Sequence, residues 1–218
     1  MKKFAVIGAT GYVGAAVVRE LASRGHQVVA FARNIDKVQV AGNIQAVQAD
    51  VLSADFAEQL QGFDGVVSAF NPGWTNPNIG AEFTQGANAI VSAAKTAKVP
   101  YLLIVGGAGS LYVGDGVQLI DTPDFPKEIY DGANAARHLL NDLQDRRDVN
   151  WAFISPPAML GADAGYSEER TGEYRLGKDN LLMNGDLPAG ISVADLAIAI
   201  ADDVENYAHL HQRFTAAA

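Results

Sequence analysis

Three glycines spaced as Gly8-Ala9-Thr10-Gly11-Tyr12-Val13-Gly14 are the first place in this 218-residue chain where residue type and spacing imply chemistry. The G-x-x-G-x-x-G pattern follows the apolar run Phe4-Ala5-Val6-Ile7 and opens a segment in which Val13, Val17, Val18 and Leu21 recur at helical spacing up to Gly25. Strand, turn and helix in that order give a glycine loop its meaning. Gly8 permits the tight turn, Gly11 leaves the backbone open to a pyrophosphate, and Gly14 lets the helix pack close to the strand. The unbonded N–H groups of a helix start point at such an anion. Gly8, Thr10, Gly11, Tyr12 and Val13 are therefore candidate dinucleotide-binding residues.

The residues after the next strands decide what kind of dinucleotide fits. An NAD site usually places Asp or Glu at the end of the second strand, but Val29-Ala30-Phe31 runs into Ala32-Arg33-Asn34 here. Arg33 either forms charge-assisted hydrogen bonds to a 2′-phosphate and stacks on adenine, or is a solvated surface side chain. The expected cofactor is NADP, with NAD as the alternative. Asp50-Val51, at the end of the third strand, lies beside the adenine or serves as a plain cap. Phe70-Asn71-Pro72-Gly73-Trp74 either lays aromatic surface over a planar ligand or packs its own loop, and the same choice holds for Leu111 and Tyr112. Ser110, a loop serine among glycines, hydrogen-bonds a nicotinamide or a substrate carbonyl, or else is a turn residue.

These candidates need a scaffold, and the hydrophobic pattern supplies one. Val28 to Phe31, Ile44 to Val47, Gly65 to Phe70, Tyr101 to Val105 and Trp151 to Ile154 are near-continuous apolar runs, as strands of a doubly covered parallel sheet must be. Helical stripes separate most of them: Phe83, Ala87, Ile90, Val91 and Ala94; then Ile129, Ala133, Ala136, Leu140 and Leu143; and finally Val193, Leu196, Ala197, Ile200 and Val204. The alternation predicts an α/β, Rossmann-type doubly wound parallel sheet, as one domain over residues 1–218. After Ser155-Pro156-Pro157 the rhythm changes. Glu173 to Leu176 and Leu181 to Met183 flank Gly177-Lys178-Asp179-Asn180 as a small C-terminal hairpin, within an appendage over residues 158–190 on the substrate side of the sheet.

Composition narrows the function classes. Apolar residues make up 49% and charged residues 19%, which fits a globular enzyme and not a disordered chain. The formal charge of −9 disfavours nucleic-acid binding. No apolar run approaches the roughly 18 residues of a membrane helix, and Met1-Lys2-Lys3 leads straight into a strand, so neither a membrane partner nor secretion is expected and the predicted location is cytoplasmic. With no cysteine and four scattered histidines, thiolate chemistry is excluded and no metal site is expected.

Gly8-Ala9-Thr10-Gly11, Arg33, Asp50-Val51-Leu52, Val105-Gly106-Gly107-Ala108-Gly109-Ser110 and Ser155-Pro156-Pro157 together resemble the atypical short-chain dehydrogenases. The likeness is nearest to NAD(P)H-flavin reductases and the flavin reductase/biliverdin reductase B group, and it runs from residue 3 to about 214, including Arg213-Phe214-Thr215 as a late strand. The resemblance implies that Ser110 lies near the nicotinamide and acts in catalysis and that Pro156 and Pro157 line the same face; Phe70 and Gly106, at the ends of two strands, are further candidate cofactor-binding residues. It also implies hydride transfer to a planar conjugated acceptor such as a flavin or quinone, with the protein mainly supplying orientation.

One departure bears on activity. A standard short-chain dehydrogenase pairs a tyrosine acid with a lysine one helical turn on, whose charge lowers the phenol pKa. The matching helix here offers Tyr130 and Asn134. A literal Tyr174-x-x-x-Lys178 falls in the expected hairpin, where residues four apart do not stack, so Tyr174 is expected to be a packing residue. His138 is expected at the surface. Carbonyl reduction and sugar epimerisation both suffer from the missing lysine. The contrasting class is a dinucleotide-sensing regulator of the NmrA-like kind, which keeps the loop without turnover.

Overall fold

The apolar runs pair side by side as the sequence predicts. A computed structural model describes residues 1–114 and 116–218. Its main sheet holds β1 (Lys3–Ile7), β2 (Gln27–Ala32), β3 (Ile44–Gln48), β4 (Gly65–Ser68), β5 (Leu102–Val105), β6 (Trp151–Ile154), β7 (Arg175–Gly177) and β8 (Gln212–Ala217). The strand order is β7-β8-β6-β5-β4-β1-β2-β3, and every neighbouring pair is parallel except the antiparallel β7 and β8. Because the chain winds outward from β1 through β2 and β3 and then returns on the other side as β4, the order reverses between β1 and β4. A crevice opens at the carboxyl ends of the strands at such a point.

Helices cover both faces. On one face α1 (Tyr12–Ser23) and α5 (Val193–Asn206) bury Val17, Leu21, Leu196 and Ile200 against Phe4, Val6 and Ile154. On the other, α2 (Phe56–Gln59), α3 (Ile79–Thr96) and α4 (Tyr130–Gln144) bury Phe83, Ile90, Leu140 and Leu143 against Ile7, Leu102 and Phe153. Fully burying a side chain of this size stabilises by about 1.5–3 kcal/mol, so two such layers hold the strand ends in fixed register. The expected stripes are all in place, except that Ile129 falls in a 3₁₀ turn just ahead of α4. Ser192 caps α5, its hydroxyl accepting the Asp195 N–H at 3.0 Å.

A C-terminal hairpin is present, but not with the expected pairing. Residues 175–177 join the main sheet as β7, and the hairpin forms instead between Met183–Asn184 and Leu187–Pro188 around Gly185, whose φ is +61°. A Cβ on Gly177 would come within 2.8 Å of Leu182 and 3.0 Å of Thr215, so close packing on β8 fixes this segment. Tertiary contact overrides the local turn signal of Gly177 to Asn180. A further antiparallel pair, Tyr112–Gly114 with Val117–Gln118, lies outside the main sheet. Among the described residues no helix is long and apolar enough to cross a membrane, and no cluster has metal-ligating composition.

Candidate active site at the sheet's carboxyl edge

The glycine loop is built almost wholly from main chain in contact with main chain. Gly8 has φ +78°, and a Cβ there would overlap the Ala69 carbonyl at the end of β4. A Cβ on Gly14 would overlap the Gly8 carbonyl, so α1 can approach β1 only with glycine at that position. The Gly8 and Ala9 N–H groups donate to Phe31 O at 3.1 and 3.2 Å, and Gly11 N–H donates to Gly8 O at 3.0 Å. Among the described residues the N–H groups of Thr10, Val13 and Gly14 have no backbone acceptor, and they sit at the start of α1 where its dipole is positive. A cradle closed to side chains and lined with spare donors fits a pyrophosphate.

Two cavities flank this loop and share Gly11, Ala69, Phe70 and Asn71. The first, about 520 Å³, is lined by Gly8, Thr10, Arg33, Asp50, Val51 and Phe56 among others. Gln48 Nε2 donates to the Arg33 carbonyl at 2.9 Å, fixing its backbone, while among the described residues the exposed guanidinium makes no hydrogen bond or ion pair. Asp50 Oδ1 accepts the Leu52 N–H at 2.9 Å, which shapes the turn after β3. Asp50 thus acts as a turn residue and also borders the cavity.

The second cavity, about 480 Å³, is lined mainly by apolar groups: Tyr12, Val13, Phe70, Trp74, Gly106, Pro156 and Pro157 from the expected set, with Phe83, Leu119, Phe125, Ile129 and Leu160 added. Glycines leave room for aromatic rings beside it. A Cβ on Gly86 would overlap Phe70, and one on Gly106 would overlap Phe153. All the expected dinucleotide residues therefore border one of the two cavities. Nothing in the sequence around Leu119 and Phe125 marks them, because Asp121-Thr122-Pro123-Asp124 between them is polar and turn-forming, and Ile129 reads only as the start of a helical stripe.

Ser110 is the exception. It is 3% exposed, does not line either cavity, and accepts hydrogen bonds from Arg213 Nη1 at its carbonyl (3.1 Å) and its hydroxyl (3.3 Å). The 3₁₀ turn of Ala108–Ser110 rotates the side chain to the inner side of the loop, where Arg213 from β8 collects it. The glycines of that loop, not its serine, face the cleft. Leu111 is buried, and Tyr112 borders a separate hollow beside Asn180.

No lysine activates a tyrosine here. Tyr130 stands at the start of α4 against Phe125, and Asn134 accepts hydrogen bonds from Arg137 at 2.7 and 3.1 Å. Tyr174 is a packing residue whose hydroxyl donates to Asp202 on α5; burial and that carboxylate push its pKa well above the usual phenol value. His138 is exposed. Tyr12, at the cavity mouth, donates its hydroxyl to Glu168, 156 residues away, a pairing no sequence pattern signals. That hydrogen bond, with the Ala162 N–H at 2.6 Å, holds the Glu168 carboxyl below the usual range. Glu168 belongs to a strap whose Arg170 pairs with Glu20 at 3.2 Å and whose Thr171 and Gly172 N–H groups donate to Asp195.

Comparison with known proteins agrees with this geometry. The family model described as NAD(P)H-binding matches residues 8–204. An uncharacterized protein of Bacillus subtilis, YwnB, is 40% identical over 217 residues, covering 98% of this chain and 97% of that protein. A solved structure from Streptococcus pneumoniae, provisionally named an NADH-flavin reductase, is 33% identical with a TM-score of 0.85, covering 100% of this chain and 99% of that one. Another from Bacteroides thetaiotaomicron, provisionally named an epimerase, is 37% identical with a TM-score of 0.89, covering 99% of this chain and 96% of that one. With its glycine cradle, switch-point cleft and full-length relatives, the chain belongs to the NAD(P)H-binding family.

Proposed function

We propose that this protein is an NAD(P)H-dependent reductase that passes two electrons to a planar conjugated acceptor such as a flavin or quinone, with NADPH as its preferred donor. The observation that carries the reading is the pair of adjoining cavities, one bordered by Arg33, whose guanidinium has no partner among the described residues, and the other walled by Phe70, Trp74 and Phe125. A bound reduced nicotinamide supplies a hydride. The chain holds the pyrophosphate on the Thr10, Val13 and Gly14 N–H groups and a 2′-phosphate on Arg33, and it places the acceptor between aromatic side chains and the Pro156-Pro157 wall.

The missing acid supports a planar acceptor over a carbonyl. A tyrosine hydroxyl with no lysine beside it is a poor proton donor at pH 7, whereas a reduced flavin or quinone takes its proton from water. Tyr12, whose hydroxyl hydrogen is engaged by Glu168, acts as a wall of the cavity. The test is NADPH and NADH oxidation against riboflavin, flavin mononucleotide and several quinones, beside binding titrations of both cofactors. Turnover with a planar acceptor supports the reductase. Tight NADPH binding with no turnover of any acceptor overturns it in favour of a dinucleotide sensor.

A further inference from the structure

We propose that the acceptor cavity selects uncharged planar molecules, quinones and non-phosphorylated isoalloxazines, over acceptors carrying phosphate or carboxylate groups. The inference rests on the reductase reading of the cleft and names the substrate class within it. Among the described residues lining the cavity, none is Lys or Arg, and the ionisable ones are Tyr12 and Asp124. Asp124 is exposed at the rim, where a substituent on the acceptor ring would emerge into solvent.

Two arginines on neighbouring segments are committed elsewhere. Arg137 holds Asp121 at 2.8 Å and Asn134 at 2.7 Å. Arg213 lies behind the Gly106 to Ser110 loop, paired with Asp179 at 2.7 Å. Lys127, exposed beside Pro126, does not line the cavity, and Arg33 borders only the other one. A dinucleotide in the cleft brings further negative charge, and the chain as a whole carries −9. An anionic acceptor would therefore meet repulsion from the rim, from the cofactor and from the general field, with no Lys or Arg among the described lining residues to offset it. A neutral ring meets only apolar wall. It takes up a hydride from the nicotinamide and one proton from water, two electrons in all, and leaves as the dihydro form.

Riboflavin and flavin mononucleotide make the matched test, because they share one redox-active ring and differ by a phosphate. A dianion held about 6 Å from one carboxylate in water-like surroundings loses about tenfold in affinity. Riboflavin should therefore show about tenfold higher kcat/KM than flavin mononucleotide at low ionic strength, and the gap should shrink as salt screens it. Asp124→Lys should reverse the order. Fluorescence titration of each flavin, with and without NADP⁺, should give the same ranking, widened by NADP⁺. Equal or better use of flavin mononucleotide by the unmodified protein at low salt overturns charge selection while leaving the reductase intact. If neither flavin nor any neutral quinone is reduced, the reductase reading falls and the titration still decides: tighter riboflavin binding upholds the charge selection, and equal binding or none overturns it.

Discussion

Removing the Arg33 guanidinium separates the two cofactors more cleanly than any other change. The side chain is exposed and among the described residues touches no partner, so Arg33→Ala breaks nothing in the protein itself, and unfolding midpoints should stay within about 0.5 kcal/mol of the parent. Its proposed partner is the 2′-phosphate. A hydrogen bond to a charged group contributes about 1.5–3 kcal/mol, and the exposure of the side chain places this one near the lower end, which corresponds to about 10- to 30-fold in Kd. NADH, which lacks the phosphate, should change less than about twofold. Arg33→Lys keeps the charge but loses the planar fork, so it should fall between parent and alanine variant. Nucleotide fluorescence titrations at two salt concentrations measure all of this. Equal losses for NADPH and NADH, or no loss for either, would refute the assignment of Arg33 to the 2′-phosphate.

Three further outcomes follow from the geometry. Gly14→Ala puts a methyl on the Gly8 carbonyl, forcing α1 away from β1 at a cost of about 1–3 kcal/mol, and should lower the melting temperature and weaken NADPH and NADH alike; retained affinity for both would place the site elsewhere. Ser110→Ala should leave turnover within about twofold, since the hydroxyl faces Arg213 and not the cleft, while costing about 1 kcal/mol of stability in urea unfolding; a loss of about 10²-fold, the low end for a general acid, would contradict its placement. Burial raises the Asp195 pKa, but hydrogen bonds from Gly172 and Thr171 outweigh it and hold it below the usual carboxylate value. Its stabilising contribution is thus full above the unfolded pKa of about 3.9 and is lost as pH falls through the lower folded value. Urea midpoints should then separate the parent from Asp195→Asn at pH 6 and converge on acidification below pH 4; a gap that widens in acid would invert the sign.

Features encoded within a short stretch of chain were legible in the sequence. The glycine loop, the strand runs and Arg33 each occupy a handful of consecutive residues whose backbone demands or charge can be read directly. What escaped depends on residues far apart. Ser110 looked catalytic because its neighbours are glycines; its orientation is set by Arg213, 103 residues later. Glu173 to Leu176 looked like one arm of a local hairpin, but residues 175–177 pair instead with the strand at 212–217. The apolar wall of Leu119 and Phe125 comes from a polar-looking segment whose apolar residues are too few and too irregularly spaced to show a period.

At the glycine cradle, Ala69, Gly8 and Gly14 bring three stretches of main chain together with no side chain between them. Such a joint has no rotamers to vary. Replacement of the more open side chains Thr10 or Tyr12 leaves the main-chain contacts in place, whereas one added methyl group at Gly8 or Gly14 forces them apart. The joint is thereby fixed by main chain that admits no side chain at Gly8 or Gly14, while the walls of the cavities on either side are made of side chains that can vary. New acceptors can be acquired by altering the outer walls without rebuilding the joint. A scaffold divided in this way lets related proteins keep one cofactor while exchanging the molecule it serves.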